Sequence, residues 1–363
     1  MALVKLRDRD AILTKTGLIF RVYGYSHPFK TYICDPEYAP ANMYKSNNPK
    51  ALRVKGKQIY YKFYADEGLQ FVREYYPQYT IWYAPLQTRL VGVRQNQIVE
   101  TRNPAEAFKC FSEKPAKDDL IQTLHTLSSL IVDKSELLKN DFGVFGSLLH
   151  GFYHPQYSDL DLIVYGREAL SKLCETLEIL YREKTSQLQN EFESEEAIAE
   201  KHWKLFNYSP KEFVWHQRRK LIYGIFHEQR IHRTIKTEFE PVKNWEEIQS
   251  EYDAKTRILQ RGWIKAIVRV TDDSNAPFIP SIYRIEPLKI ISGTRADDIQ
   301  RITSYVEEFR MQAKKDEKVY VEGNLEQVVT QHNTFHQITL TYGPRYYEQV
   351  LKVFQSQKMG KLA

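Results

Sequence analysis

One segment constrains the fold of this chain more than any other: residues 143–166, with the sequence GVFGSLLHGFYHPQYSDLDLIVYG. Its apolar runs predict two short strands, Phe142–Phe145 and Leu160–Val164, separated by a Gly-Ser turn and a loop. Side chains two residues apart on a strand point to the same face, so Asp159 and Asp161 would share one face. The segment therefore predicts a half-buried sheet that presents two carboxylates to a cleft.

Paired carboxylates at this spacing suit a hard divalent cation. Mg²⁺ prefers oxygen ligands, and two such ions neutralise the attacking and leaving oxygens of an in-line phosphoryl displacement. Asp159 and Asp161 are therefore the predicted metal ligands and catalytic residues, with Mg²⁺ or Mn²⁺ as cofactor.

The upstream turn, Gly146-Ser147, predicts contact with a nucleotide. Glycine lets a phosphate approach the backbone, and Ser147 offers a hydroxyl at the start of a short predicted helix, whose first N–H groups favour anions. Ser158, directly before the two aspartates, is a further nucleotide-binding candidate.

These parts resemble the signature of the DNA polymerase beta-like nucleotidyltransferase superfamily: an apolar residue, Gly, Gly or Ser, a spacer, then Asp-apolar-Asp-apolar. The runs at 7–28, 146–166, 278–286 and 319–328 also resemble an archaeal family of predicted nucleotidyltransferases. The resemblance implies a cytoplasmic archaeal protein that uses an NTP. It also implies a third carboxylate on a later strand, often one that activates the attacking hydroxyl.

The third carboxylate is the point at which the sequence departs from that pattern. The matching strand is predicted near 230–240, and His232 stands where the acid is expected. Either His232 acts as the base, or Glu238 or Glu240 reaches the site from beyond the apparent strand end. Glu238 and His232 are therefore both catalytic candidates.

Basic residues near this region are predicted to contact the triphosphate or a nucleic acid. The candidates are Lys172, on the helix predicted after the aspartate strand, the consecutive Arg218, Arg219 and Lys220, and the following Arg230, Arg233 and Lys236. His150 and His154 have the i, i+4 spacing of a zinc helix, but no acid completes the motif and Pro155 ends the turn, so we assign them to the spacer loop.

The chain of 363 residues is predicted to be a multidomain α+β protein. A β-rich N-terminal domain (1–110) precedes a nucleotidyltransferase core of mixed sheet and helices (111–252). The last block (253–363) is predicted as three strands, a helix over 297–311 and two strands, the order of an oligonucleotide-binding (OB) barrel. We expect Trp263, Phe278, Tyr283, Arg269 and Arg284 to form its nucleic-acid groove.

Composition narrows the class of protein. The net charge of +6 is mildly basic, no run of about 18 apolar residues predicts a membrane span, and the first ten residues lack the apolar core of a signal peptide. Three scattered cysteines without a CxxC pair favour reduced thiols in a cytoplasmic protein.

Together these features predict transfer of an NMP from an NTP to a hydroxyl. The predicted acceptor is a nucleic-acid 3′ end, because the last block is predicted to bind nucleic acid. The resemblance implies RNA, either tRNA or a single strand, since tail-adding relatives in the superfamily mostly act on RNA. Two alternatives stay open: transfer to a protein or small molecule, and a catalytically silent nucleic-acid-binding module.

Overall fold

The protein is described here by a computed structural model covering residues 4–199, 205–252, 255–296, 298–343 and 345–354. The chain forms two compact units. The first contains residues 1–82, 89–195 and 221–249, and the second contains 83–88, 196–220 and 250–363. The boundaries expected from the sequence at 110 and 252 stay a prediction.

The N-terminal part of the first unit is an antiparallel sheet. Its path runs β4-β5-β3-β2-β1-β8, and β7 pairs with both β3 and β6. Its core contains Phe20, Tyr32, Val72 and Val93. Its elements are β1 (Ala11–Thr14), β2 (Ile19–Val22), β3 (Thr31–Pro40), β4 (Leu52–Lys55), β5 (Gln58–Lys62), α1 (Glu67–Tyr75), β6 (Thr80–Tyr83), β7 (Thr88–Arg94), β8 (Ile98–Arg102) and α2 (Pro104–Glu113).

The second sheet of this unit has the order β11-β12-β13-β10-β9, in which β10 and β13 are parallel. Strand β10 lies between β13 and β9, and every residue from Leu162 to Tyr165 is buried. The elements are α3 (Asp119–Lys134), β9 (Phe142–Val144), α4 (Gly146–His150), β10 (Leu160–Tyr165), α5 (Arg167–Arg182), β11 (Leu188–Asn190), β12 (Tyr223–Glu228) and β13 (Arg233–Val242).

Six strands form the sheet of the second unit. They pair in the order β14-β15-β16-β18-β17-β19, and β14 also pairs with β17. Strands β16 and β18 are parallel, whereas the other pairs are antiparallel. The elements are α6 (Glu195–Ala199), α7 (Pro210–Arg218), β14 (Arg257–Asn275), β15 (Ser281–Ser292), β16 (Ile299–Ser304), β17 (Lys318–Val329), β18 (Thr334–Leu340) and β19 (Val350–Val353).

The prediction of a helix over 297–311 is wrong. Ile299–Ser304 is a strand and Glu307–Phe309 a single 3-10 turn, while residue 297 lies outside the described residues. The residues apolar in the helical interpretation, Ile299, Ile302, Val306 and Phe309, are all buried. A short run of buried apolar residues is compatible with the period of a helix or of a strand, and here pairing within the sheet makes it a strand.

Two further segments differ from what their sequences predict. The prolines and asparagines of residues 35–50 predict a loop, but the segment begins with the second half of β3, which continues to Pro40. The acidic residues 191–200 predict a solvated helix, but Glu191 and Phe192 are buried in a 3-10 turn and the described helix covers 195–199. Residue 200 lies outside the described residues.

Nowhere in the described ranges does a helix combine the length and apolar character required to cross a bilayer.

Candidate active site

Three carboxylates meet on one face of the second sheet. Asp161 of β10 is in register with Glu238 of the parallel neighbour β13, so their side chains point to the same face. Asp159, two residues before Asp161 and directly before β10, joins them on that face. The intervening Leu160 and Leu162 are fully buried on the other side and hold the strand in this orientation.

The pKa values of Asp159 and Asp161 are both raised at this crowded position. Removal from water, followed by the charges of Glu238 and Asp159, raises the pKa of Asp161 to about 7. Desolvation also raises the pKa of Asp159, with Glu238 contributing, while Lys236 opposes it. A carboxylate surrounded by like charges is stabilised by a cation, so the cluster favours a positively charged ligand.

Lys236 supplies one positive charge to this cluster. Its Nζ lies 2.5 Å from Oε1 of Glu238 and 4.0 Å from Oε1 of Glu191. Burial would lower the pKa of Lys236, but the charges of Glu238, Glu191 and Asp159 reverse that effect and raise it. The lysine therefore stays charged beside the carboxylates.

The Gly146-Ser147 turn lies against Asp161. Gly146 has φ +60°, and a Cβ there would be 2.7 Å from Oδ2 of Asp161. The backbone N–H of Phe145 also donates to the carbonyl of Asp161 at 3.1 Å. Only glycine combines this left-handed backbone with so close a carboxylate, so the turn and the aspartate strand are fitted to each other.

The loop before Asp159 is braced by β13. Arg233 donates to the carbonyl oxygens of Pro155 (2.7 Å) and Ser158 (2.8 Å). Ser158 accepts the backbone N–H of His154 through its hydroxyl at 2.9 Å. Arg233 and Ser158 thereby position the entry of the chain into the carboxylate cluster.

The structure separates the three candidates for the third acid. Strand β13 continues to Val242, so Glu238 lies within it, beside Asp161. Glu240 is buried and its Oε2 lies 2.7 Å from Nη2 of Arg9. The placement of His232 on the strand is wrong, because it has φ +48° in an exposed turn before β13.

The basic candidates are distributed over the chain. Lys172 on α5 contacts Glu168 (3.1 Å) and Glu136 (3.3 Å). Arg218 and Arg219 belong to the second compact unit, where Arg219 pairs with Glu317 at 2.5 Å. Their roles in nucleotide binding stay predictions.

The prediction of an aromatic groove in the last block is wrong at two positions. Phe278 and Tyr283 are fully buried, so no base could stack on them. Arg269 pairs with Glu286 at 2.5 Å. Trp263 donates to Glu322 and lies under the guanidinium of Arg345, whose Cζ is 3.7 Å from the ring centroid.

His150 and His154 do not form a shared pair of ligands. His150 is buried, with its ring nitrogens at 2.8 Å from Arg102 and 3.1 Å from Glu37. His154 stacks on Tyr157 in the loop. The two side chains therefore hold different parts of the spacer.

The donor set fits a hard divalent cation, since Asp159, Asp161 and Glu238 are all oxygen donors on one face. Among the residues that the structure describes, no group of three or more His, Cys, Asp or Glu side chains is arranged as a ready metal-binding cluster. Lys236 lies among the carboxylates. The sequence did not reveal Glu191 as a site residue, and it indicated Arg233 and Lys236 only as basic candidates for phosphate or nucleic-acid contact. Alternation along 230–240 placed Lys236 and Glu238 on one face.

Comparisons with known proteins identify a nucleotidyltransferase domain in this part of the chain. Residues 128–231 match the nucleotidyltransferase domain family. An uncharacterized protein of Methanocaldococcus jannaschii is 24% identical over 330 residues, which cover 90% of this chain and 92% of that protein. No solved structure matches the chain. The match confirms the expected nucleotidyltransferase domain and a transferase enzyme; it includes Gly146, Asp159 and Asp161 and ends before Glu238.

Proposed function

We propose that this protein transfers a nucleoside monophosphate from an NTP to the 3′ hydroxyl of RNA, using the carboxylate face of β10 and β13. The register of Asp161 with Glu238 carries the proposal. Asp159 and Asp161 would hold Mg²⁺ or Mn²⁺, which neutralises charge on the phosphates when bound. The proposal includes two metal ions and an in-line attack of the acceptor hydroxyl on the α-phosphorus.

The chain's own residues account for the remaining steps. Gly146 and Ser147 receive the triphosphate, since the glycine leaves the backbone open to a phosphate. Glu238 accepts the proton of the acceptor hydroxyl, whose oxygen bonds to the α-phosphorus. The α–β phosphoanhydride bond breaks and pyrophosphate leaves. Lys236, beside Glu238, offsets the negative charge that collects on this face.

A nucleic-acid acceptor is favoured by the second unit. Its pairings run β14-β15-β16-β18-β17 and return to β14, with β16 parallel to β18. This order supports the proposed OB-like, nucleic-acid-binding role, although the expected helix is a strand. The groove itself would have to use side chains other than Phe278 and Tyr283.

The test is incorporation of labelled nucleotide. The full chain is incubated with each of the four NTPs, Mg²⁺ or Mn²⁺, and single-stranded RNA, tRNA or DNA. We expect label at an RNA 3′ end, and a loss of more than about 100-fold in Asp161→Asn and Glu238→Gln, because a metal site is sensitive even to its supporting contacts. Glu178→Gln, on the exposed face of α5, is the matched control.

Other outcomes separate the alternatives. Label on protein or on a small molecule would replace RNA as the acceptor. A failure to transfer to any acceptor, with nucleic-acid binding retained, would indicate the silent binding module. Equal activity of Glu238→Gln and Glu178→Gln would refute the role of Glu238.

A further inference from the structure

The N-terminal sheet contains one segment with charges of a single sign. Residues 38–65 contain six Lys or Arg and no Asp or Glu, whereas the whole chain has 52 cationic and 46 acidic residues. The cations are concentrated in β4, β5 and the residues leading into them. We call residues 45–62 the basic hairpin; its cations are Lys45, Lys50, Arg53, Lys55, Lys57 and Lys62.

The basic hairpin is anchored next to the candidate active site. Tyr60 of β5 packs on Phe152, with ring centroids 4.9 Å apart, in a cluster that also contains Tyr38. Lys55 donates from Nζ to the carbonyl of His150 at 3.1 Å. Phe152 and His150 immediately follow the Gly146-Ser147 turn, so the hairpin lies along the segment proposed to receive the triphosphate.

The basic hairpin and the carboxylates contact the same short segment. Lys55 contacts the carbonyl of His150, and Gly146, four residues earlier, lies against Asp161. Lys62 is in register with Tyr38 of β3, which fixes the base of β5. The positive hairpin and the negative cluster are therefore neighbours, an arrangement that would keep a polyanion beside the metal-binding acids.

The outer surface of the basic hairpin is open and partly apolar. Lys45, Lys50 and Lys57 are exposed. Val54 and Ile59 pair across the two strands and are 52% and 46% exposed. Exposed cations beside apolar side chains suit a single strand, which offers phosphates and unstacked bases together.

We propose that the basic hairpin binds the phosphates of the single-stranded nucleic-acid acceptor and leads its 3′ end to the carboxylates. This inference rests on the transfer reaction proposed above. Arg53, Lys55 and Lys62 lie on a ribbon of four to five residues per strand, about 13–17 Å. The other cations, Lys45, Lys50 and Lys57, lie in the residues that lead into these strands or join them. A repeating phosphate chain matches that spread better than the compact triphosphate of one NTP.

The test compares two triple variants of the full chain. Lys45→Ala/Lys50→Ala/Lys57→Ala removes exposed charge from the basic hairpin and leaves Lys55 and Lys62 in place. Lys109→Ala/Lys139→Ala/Lys184→Ala removes the same charge from exposed positions elsewhere in the first unit. The readout is the anisotropy of labelled single-stranded RNA at several salt concentrations, without NTP, so that no turnover occurs.

We expect the hairpin variant to bind RNA at least about tenfold more weakly. Its salt dependence should fall by about 2 in log–log slope, since each phosphate contact to a single strand contributes about 0.7. The control variant should bind as the unmodified protein does. Equal binding by both variants would overturn the proposal.

Parallel measurements distinguish other sources of phosphate. A raised KM for the NTP with unchanged RNA affinity would assign the hairpin to the triphosphate and overturn the acceptor role. Reduced binding to phosphatidylserine vesicles with unchanged RNA affinity would indicate a lipid surface instead. Because the anisotropy readout needs no catalysis, hairpin-dependent RNA binding by a protein inactive with every NTP would refute the transfer reaction alone.

Discussion

Replacement of Gly146 by alanine separates the geometry of the carboxylate site from the stability of the fold. A left-handed backbone costs a residue with a Cβ about 1–2 kcal/mol, and Gly146 has φ +60°. The new Cβ would also lie 2.7 Å from Oδ2 of Asp161, whereas ordinary contacts begin at 3.4 Å. The carboxylate or the turn must therefore shift by roughly 0.7 Å, and a 1 Å misplacement costs on the order of 100-fold in rate.

We expect Gly146→Ala to lose about 1–2 kcal/mol of unfolding free energy and about 10- to 100-fold in transfer rate. Gly56→Ala is a close control. Gly56 has φ +58°, and a Cβ added there would have nothing within 4 Å, so the substitution has the same backbone cost without the clash. It should lose similar stability and keep its Mn²⁺ affinity, a property that does not depend on RNA binding by the basic hairpin.

Urea unfolding measures the stability of both variants, and nucleotide incorporation measures their rates. Mn²⁺ binding, followed by electron paramagnetic resonance, provides a readout that does not depend on the acceptor. If Gly146→Ala retains the rate of the unmodified protein and the Mn²⁺ affinity of Gly56→Ala, the contact between the turn and Asp161 is not required. That result would refute the reasoning.

Two further predictions concern stability. Burial opposes ionisation of Glu37, but its hydrogen bond with His150 and the charges of His150, Arg21 and Lys62 lower its pKa to about 2. Because the folded pKa of Glu37 is depressed, its ionisation stabilises the fold by about 3 kcal/mol, at 1.36 kcal/mol per pKa unit, and this stabilisation is present above pH 4.5 and lost as the pH falls toward 2. In Glu37→Gln the urea midpoint should therefore change less with pH across that window than in the unmodified protein. An equal change of the midpoint with pH in both proteins would contradict this. The buried hydroxyl of Tyr283 donates to the carbonyl of Phe309 (2.6 Å) and accepts from the N–H of Gln312 (2.8 Å). Tyr283→Phe should therefore cost about 1–3 kcal/mol in urea unfolding and leave RNA affinity unchanged. Weaker RNA binding at unchanged stability would instead assign the hydroxyl to RNA contact.

The local pattern of the sequence was sufficient to predict the strand that begins directly after Asp159 and carries Asp161. Leu160 and Leu162 alternate with Asp159 and Asp161, and a period of two leaves one arrangement that buries the leucines. The Gly146-Ser147 turn followed from the same short segment. These features depend on neighbours within about 20 residues, which is why they were predictable.

The helix expected over 297–311 shows where local patterns fail. Its apolar residues are buried as expected, but in β16 and the turn after it, because pairing with β15 and β18 is a long-range choice. Phe278 and Tyr283 have the composition of a stacking surface, yet only tertiary packing decides that they face the core.

The choice among Glu238, Glu240 and His232 also required the tertiary structure. All three lie within nine residues, and the sequence places them on one alternating face. The parallel register sets Glu238 beside Asp161, Arg9 from the start of the chain engages Glu240, and a left-handed turn takes His232 off the strand. Likewise, only folding brings the cations of residues 45–62 next to a turn about 90 residues later. Residue order determines which face a side chain occupies, but the partner on the neighbouring strand is set by contacts between distant parts of the chain.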